Sequence, residues 1–511
     1  MTAQATLQPP LPARRVLLRE RFAAFYPWLV VTLLVGAAAV LRFHALGQKS
    51  IWVDEAVSIE MARLDWYNFA RILWRHEANM ALYTLLLRFW LPFGDSEAWI
   101  RTLSVIPALA TIPAVYVLGR KLFNPRVGLI AALLITVNAF HVRYSQEARS
   151  YSLYPFLCVL SFLYFVKFLE EPSRENRIRH VITSALAVYA HFFAGLAVVA
   201  QWLSLKLLDR KHIPASIKNN WRQFAIAIVP LVLFVATTGI GVLRWIPRPG
   251  LSSLHTAAVF LTGAGGNKLL YLYAAACILA LIPVVRALFR RRQLAQREWR
   301  IAVLAIWVLF PILSVFVLSQ WKPCFLARYF IFTVPAISLL AAAGIERLRS
   351  RWLIGPVLVL FGAWSLPAVY ANYEKDIDIA REDFRNASEY VLGHAQGGDV
   401  LLFHQPIGRM PYEYYRSITA AAAYPTVIYP EHGEQLAYKD FYSGRAPESF
   451  LASVPAQYSR VWVMLTYNQL PDGPDATTRV ISDSFARQYP SVEVKQFTGV
   501  EVRLYQRAAG K

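Results

Sequence analysis

Long apolar stretches with few charges recur through the first 370 residues, and they constrain this chain more than any other feature. A run of about 18 or more such residues can cross a bilayer as one helix. Of the 511 residues, 56% are hydrophobic and 17% charged, whereas soluble globular proteins carry about 25% charged residues. The sequence therefore predicts an α-helical polytopic membrane protein and excludes an ordinary soluble enzyme.

The formal net charge of +21 does not indicate a nucleic-acid-binding protein. Lys and Arg collect in short groups between apolar stretches, which is the pattern of the positive-inside rule. These groups are Arg14, Arg15, Arg19 and Arg21; Arg120, Lys121 and Arg126; Arg290, Arg291 and Arg292; and Arg347, Arg349 and Arg351. We expect them on the cytoplasmic side of the membrane and predict no nucleic-acid partner.

The order of apolar and charged segments predicts about eleven membrane crossings between residues 22 and 370. Residues 1–21 are interpreted as a cytoplasmic tail, which places the first loop outside. The predicted outside loops are residues 47–79, 143–150, 244–267 and 320–328.

Three segments of this region do not fit simple crossings. Residues 181–205 carry no formal charge but have basic residues on both sides, so a hairpin broken near residues 191–195 keeps both flanks inside. In the first outside loop, residues 55–74 carry several aromatic residues among charged ones and predict an amphipathic helix at the interface. Residues 80–90 predict a helix too short to span.

The composition changes at about residue 371, where short apolar runs alternate with helical patterns. Strands are predicted at residues 400–403 and 461–465, and a hairpin over residues 492–505. Helices are predicted at residues 384–394 and 477–488. Residues 371–511 are thus expected to form a C-terminal α/β soluble domain outside the membrane.

Polar residues at the outside ends of spans are the candidates for function, because such residues are costly near lipid. Asp54 and Glu55 follow the first span and could act as a general base and as a partner for a hydroxyl or a metal. They would also suit the first turn of a helix, where the dipole favours negative charge. His76, Asn79 and Tyr83 end the same loop, either as site residues or as solvated ones.

Two later groups have the same placement. Glu147, Arg149 and Tyr151 lie in or next to the second loop, whose dense polar groups would suit a sugar or phosphate site; alternatively, Glu147 and Arg149 could pair with each other. Lys322, Arg328 and Tyr329 border the last short loop, where the two cations could bind phosphate or extend toward lipid headgroups. His191 lies at the predicted break of residues 181–205, as a ligand contact or as a hydrogen-bonded core histidine.

The order of these groups resembles the GT-C class of glycosyltransferases, which use lipid-linked sugars. The closest likeness is to protein O-mannosyltransferases (glycosyltransferase family 39) and aminoarabinose transferases. Residues 52–58 (WVDEAVS) match their acidic first-loop signature, and residues 146–151 (QEARSY) and 322–329 resemble later loops. Residues 76–83 (HEANMALY) resemble an H-x-P-L-Y segment, although Met80 or Ala81 stands where proline is usual. The resemblance covers about residues 22–345.

The resemblance implies a GT-C-like catalytic domain over residues 22–370 that transfers a hexosyl or pentosyl group from a polyprenyl-phosphate donor. The acceptor would be a hydroxyl of a lipid, glycan or protein on the outer face, and the anomeric carbon would invert. Asp54 would accept the proton, and Glu147 would orient the acceptor or share the base role. Lys322 and Arg328 would hold the departing phosphate. His76 and His191 would contact the donor.

The resemblance also implies the bacterial inner membrane, with the N-terminus inside and the C-terminal domain outside. No cofactor is expected to be obligatory, although Asp54, Glu147 and His76 are residue types that could ligate a divalent cation.

Two other functions are compatible with the same residues. A transporter or flippase of lipid-linked sugars would place charges near the bilayer midplane and often show paired repeats. A scaffold would use the C-terminal domain to bind glycan. The clustering of charges at one face of the membrane favours the enzyme.

Overall fold

A computed structural model of the chain describes residues 13–75, 78–238, 246–290, 293–375, 381–431, 445–470 and 472–507. Within these residues, a helical bundle is followed by a smaller domain built on a β-sheet. The helices of the bundle are α1 (Ala13–Phe43), α2 (Val53–Arg63), α3 (Trp66–Arg75), α4 (Ala81–Trp90), α5 (Glu97–Leu122), α6 (Pro125–Thr136), α7 (Ala139–Ser145), α8 (Leu153–Glu170), α9 (Arg174–Ala190), α10 (Ala194–Ser204), α11 (Ile217–Ala227), α12 (Val229–Thr238), α13 (Leu251–Leu261), α14 (Gly266–Phe289), α15 (Gln296–Leu318), α16 (Val334–Glu346) and α17 (Arg351–Glu374).

The described residues hold fewer membrane-crossing helices than the roughly eleven predicted from hydropathy. Seven helical segments are long and apolar enough to cross a bilayer, and two bent pairs raise the number to nine. The pairs are α6 with α7, bent by 62°, and α11 with α12, bent by 48°. The bundle is therefore confirmed as polytopic, with seven to nine crossings in the described residues by length and composition, against the roughly eleven predicted.

The excess comes from residues 181–205, which were predicted to cross twice as a hairpin. The predicted break is confirmed, because α9 ends at Ala190 and α10 begins at Ala194. The two helices have 17 and 11 residues, which correspond to about 26 and 17 Å at 1.5 Å per residue. Since the hydrocarbon core is about 30 Å thick, α10 is too short for a full crossing, and α9 is at the lower limit of the length that a crossing needs.

The segments predicted as outside loops contain helices. Residues 47–79 contain α2 and α3 instead of one interfacial helix over 55–74. The helical structure is interrupted between them at Leu64 and Asp65. Helix α3 exposes Trp66 and Trp74, whereas most of α2 is buried. Residues 143–145 belong to α7, and α13 lies inside 244–267, whose first two residues fall outside the described part of the chain.

The C-terminal domain confirms the predicted α/β pattern. Its helices are α18 (Phe384–His394), α19 (Arg409–Ile418), α20 (Glu448–Gln457) and α21 (Ala476–Ala486), and its strands are β1 (Val400–His404), β2 (Thr426–Tyr429), β3 (Arg460–Thr466), β4 (Gln469–Leu470), β5 (Gly473–Pro474), β6 (Ser491–Phe497) and β7 (Val500–Gln506). A five-stranded sheet has the order β2-β1-β3-β7-β6. Strand β1 is parallel to β2 and β3, and β7 is antiparallel to β3 and β6.

One hydrophobic core joins the two parts of the molecule. Ile51, two residues before α2, and Val57 within it belong to this core. They share it with Phe384, Tyr412 and Trp462 of the C-terminal domain. Helix α2 therefore packs against the sheet domain rather than lying free at the membrane surface. This packing fixes the segment that carries Asp54 between the bundle and the domain.

Helices α14 and α16 approach each other closely at a glycine. A Cβ built on Gly344 would lie 1.8 Å from the carbonyl oxygen of Ala276. Such an approach needs the absence of a side chain, because no real Cβ tolerates that distance. In contrast, a Cβ on Gly362 of α17 would meet no atom within 4 Å.

We expect Gly344→Ala to destabilise the folded bundle by about 1–3 kcal/mol, because the added methyl group forces α14 and α16 apart. The matched variant Gly362→Ala should leave stability unchanged or raise it slightly, since alanine favours helix. Thermal unfolding of both purified variants in detergent measures the difference. Equal midpoints for the two variants would contradict the packing described here.

Candidate active site

Asp54 lies between two arginines that come from distant parts of the chain. Its Oδ2 is 3.9 Å from an Nη atom of Arg149 and 3.8 Å from one of Arg328. The Asp54 side chain is 31% exposed, whereas Arg149 and Arg328 are 15% and 6% exposed. Both distances exceed hydrogen-bond length, so the carboxylate stays accessible beside two cations.

Backbone contacts hold both arginines in place. Arg149 donates to the carbonyl oxygen of Asp54 at 3.1 Å and to Oγ of Ser58 at 3.2 Å. Arg328 lies on a 3₁₀ helix, Ala327–Thr333, that leads into α16. The hydroxyl of Tyr154 on α8 donates to the carbonyl oxygens of Arg328 and Tyr329, at 3.3 and 3.0 Å.

Glu55, predicted to share the catalytic role of Asp54, is engaged elsewhere. Its side chain is fully buried, and both oxygens accept hydrogen bonds from Arg101, at 2.9 and 2.7 Å. The backbone N–H of Ala148 donates to the same carboxylate at 2.8 Å. Burial acts to raise the pKa of Glu55, but Arg101 outweighs it and the pKa lies below its ordinary value.

The two adjacent carboxylates diverge because α2 turns about 100° per residue. Asp54 therefore faces the arginines while Glu55 faces the interior against α5. Asp54 is thus accessible, whereas Glu55 is buried in an ion pair with Arg101. The sequence-based expectation that the two carboxylates act side by side was wrong.

Glu147 is buried in the turn between α7 and α8, and the predicted partner Arg149 is not its ion-pair partner. Its Oε2 lies 3.1 Å from an Nη atom of Arg143, and among the described residues no hydrogen-bond partner reaches Oε1. Burial raises the pKa of Glu147, and Arg143 offsets part of that effect. The carboxylate thus has one oxygen available for a further donor.

An aromatic wall adjoins this cluster at the break between α9 and α10. His191 stacks on Tyr154 with ring centroids 4.7 Å apart, and Tyr329 and Tyr151 lie 5.4 and 6.1 Å from it. The backbone N–H of Phe193 donates to Nδ1 of His191 at 3.2 Å. A neutral His191 therefore carries its hydrogen on Nε2, which is buried with no hydrogen-bond partner among the described residues.

Asn79 and Tyr83 contact residues that border the cluster. Oδ1 of Asn79 accepts a hydrogen bond from the backbone of Phe192 at 3.0 Å, next to His191. The hydroxyl groups of Tyr83 and Ser104 are 2.7 Å apart, and Ser104 donates to the carbonyl oxygen of Arg149 at 3.1 Å. Asn79 and Tyr83 therefore support the backbone next to His191 and at Arg149.

Of the two remaining predicted residues, one is not joined to the cluster and the other cannot be placed. Lys322 is exposed, and its side chain makes no hydrogen bond or ion pair with the described residues. His76 lies outside the described residues.

The C-terminal domain contributes two residues that the sequence analysis missed. Arg381 donates to the carbonyl oxygen of Gln146 at 3.3 Å. Glu382 is buried, accepts a hydrogen bond from Tyr467 and has Oε2 without a partner among the described residues. Burial raises the pKa of Glu382, and the nearby charge of Asp54 adds to the shift. The charged residues 381–383, which precede a predicted helix, were the available sequence signal. Nothing in that run indicates that these residues contact a distant loop.

Within the described part of the chain, no three His, Cys, Asp or Glu side chains come together as a metal-binding group. The carboxylates near the site have their own cationic neighbours: Arg149 and Arg328 for Asp54, Arg101 for Glu55, and Arg143 for Glu147. The site therefore combines one accessible carboxylate with fixed guanidinium groups, which suits proton acceptance beside an anionic group.

Comparisons with known proteins relate the chain to a family model and to solved structures. Residues 77–240 match the family model described as dolichyl-phosphate-mannose-protein mannosyltransferase. No curated protein matches the sequence significantly.

Solved structures match nearly the whole chain. ArnT from Cupriavidus metallidurans in the apo state superposes with a TM-score of 0.62 at 11% identity, covering 94% of this chain and 98% of that one. The same protein bound to undecaprenyl phosphate superposes with a TM-score of 0.60 at 12% identity, covering 93% of this chain and 97% of that one. The oligosaccharyltransferase AglB from Archaeoglobus fulgidus was solved in complex with an inhibitory peptide and a dolichol-phosphate. It superposes with a TM-score of 0.51 at 12% identity, covering 86% of this chain and 70% of that one.

The chain thus has the GT-C fold, a polytopic helical bundle followed by a sheet-containing domain. The resemblance to GT-C glycosyltransferases inferred from the first-loop and later motifs is confirmed.

We expect Glu55→Gln to destabilise the protein by about 3–5 kcal/mol, because it leaves the Arg101 guanidinium buried without its counter-ion. Glu60→Gln is the matched control on the same helix. Its partner Arg63, at 3.0 Å, is 30% exposed, and such pairs contribute about 0–1 kcal/mol. Thermal unfolding in detergent separates them, and a Glu55→Gln variant as stable as wild type would contradict the structural role.

Proposed function

We propose that this protein transfers a sugar from a polyprenyl-phosphate donor to an acceptor hydroxyl, with inversion at the anomeric carbon. The observation that carries the proposal is the accessible Asp54 carboxylate between Arg149 and Arg328. The GT-C fold supports it, as does the undecaprenyl phosphate bound to a protein of the same fold.

Asp54 acts as the general base. The acceptor oxygen attacks the anomeric carbon, the bond from that carbon to the phosphate oxygen breaks, and Asp54 takes the hydroxyl proton. A carboxylate serves this role because the hydroxyl becomes acidic as the new bond forms. Of the carboxylates predicted to be catalytic, Asp54 is the one with substantial exposure.

Arg149 and Arg328 bind the phosphate that leaves with the lipid. Their contacts with Asp54, at 3.9 and 3.8 Å, are too long for hydrogen bonds and can be exchanged for shorter, bidentate bonds to phosphate. The donor phosphate thereby replaces Asp54 as their partner and releases the carboxylate for proton transfer. The fixed guanidinium groups then stabilise the charge that grows on the leaving group.

Buried polar atoms around this centre position the reacting groups. His191 presents its Nε2 hydrogen to the donor phosphate or sugar, with Tyr151 and Tyr329 alongside. Glu147 orients the acceptor through its remaining oxygen. We propose that no metal is obligatory, since side-chain cations already supply the charge that a divalent ion would bring.

The reaction faces the outer side of a bacterial inner membrane in this proposal. Helix α5 begins beside the site at Glu97 and ends at the basic residues Arg120 and Lys121. The 3₁₀ helix that leads into α16 begins beside the site, and α16 ends next to Arg347. Because basic ends favour the cytoplasm, the site and the C-terminal domain are assigned to the opposite face.

Asp54→Asn should lower the rate of sugar transfer by about a hundredfold or more, since the base is lost while the shape is kept. Purified protein in detergent would be assayed with radiolabelled polyprenyl-phosphate sugars and with lipid, glycan and peptide acceptors. Donor binding, measured in parallel, should be retained. Transfer at the wild-type rate by Asp54→Asn would refute the base assignment, and tight donor binding without turnover in wild type would favour a transporter.

Arg328→Gln should reduce kcat by about a hundredfold, as expected for loss of one group that stabilises transition-state charge. Lys322→Gln should reduce it far less, because Lys322 is exposed and outside the cluster. The same transfer assay compares the two variants at saturating donor. A larger loss in Lys322→Gln than in Arg328→Gln would show that the phosphate lies at the loop rather than beside Asp54.

A further inference from the structure

A large cavity lies at the end of the bundle opposite the candidate active site. It has a volume of about 740 Å³ and is enclosed by α6, α14, α15 and α16. Glu346, at the end of α16, lines it, whereas Arg328 precedes the start of the same helix. The 18 residues between them span roughly 27 Å even at 1.5 Å per residue, so the cavity is separate from the reaction site.

The cavity is rich in positive charge. Arg297, Arg347 and Arg349 line it, and all three are exposed. The two carboxylates in its wall, Glu298 and Glu346, are outnumbered by these arginines, and a further arginine, Arg126, lies 3.8 Å from Glu346. The arginines therefore leave an excess of positive charge facing the cavity, which suits an anion.

The same cavity has an apolar wall. Phe123, Val127 and Ile301 line it beside the arginines. A small hydrated anion gains nothing from that wall, whereas the glycerol and upper acyl carbons of a lipid would bury apolar surface against it. Basic pockets between membrane helices suit the headgroups of anionic lipids for this reason.

We propose that this cavity binds the phosphate headgroup of an anionic phospholipid from the surrounding bilayer. The three arginines contact the phosphate oxygens, and the wall of Phe123, Val127 and Ile301 packs against the part of the lipid next to the headgroup. Arg349, whose backbone is left-handed with φ of 59°, turns the chain between α16 and α17 so that this residue borders the cavity.

The test uses purified full-length protein in detergent and native mass spectrometry. Phosphatidylglycerol, phosphatidylcholine and inorganic phosphate are added separately, and bound lipid is counted. One variant combines Arg297→Gln, Arg347→Gln and Arg349→Gln. A matched control removes the same charge from other exposed arginines, through Arg174→Gln, Arg210→Gln and Arg222→Gln.

Wild type and the control should retain phosphatidylglycerol, while the cavity variant should bind it about tenfold more weakly. Phosphatidylcholine should bind equally to all three proteins. Equal retention of phosphatidylglycerol by the control and cavity variants overturns the proposal, and so does displacement of the lipid by an equal concentration of inorganic phosphate. If the cavity variant unfolds early, Arg297→Gln alone replaces it, and a severalfold loss of binding is expected.

Discussion

The buried ion pair between Arg101 and Glu55 organises the candidate active site. All five N–H donors of the guanidinium are used, on Glu55 and on the carbonyl oxygens of Leu46, Lys49 and Ser50. Glu55 also accepts from Ala148. One pair therefore joins α5, the end of the first span, α2 and the second loop, and it sets Asp54 beside Arg149.

The C-terminal domain is held against this same corner of the bundle. Arg385 pairs with Glu97 at the start of α5, and the hydroxyl of Tyr415 accepts from the backbone of Ile51 at 2.6 Å. The docking brings Arg381 and Glu382 next to the turn that holds Glu147 and to Asp54. The candidate site is thus built from residues of both the bundle and the domain.

Local patterns predicted much of this architecture because they depend on neighbouring residues alone. Helix α18 has the predicted bounds, and the predicted strands at 400–403 and 461–465 lie within β1 and β3. The break near His191 was also predicted, but hydropathy does not measure whether each half of a broken segment is long enough to span. The dense polar groups of the loops indicated Asp54, Arg149 and Arg328, and their order along the chain indicated the fold.

The sequence by itself determined that the chain spans a membrane, ends in an α/β domain and carries charged groups at one face of the bundle. These properties follow from composition and periodicity, which are local. Only the tertiary structure decided which carboxylate is accessible and which is buried, because Asp54 and Glu55 differ by one helical step and their partners lie 46 or more residues away. The roles of Arg101, Arg381 and Glu382 depend on such long-range contacts, and no local pattern specifies them.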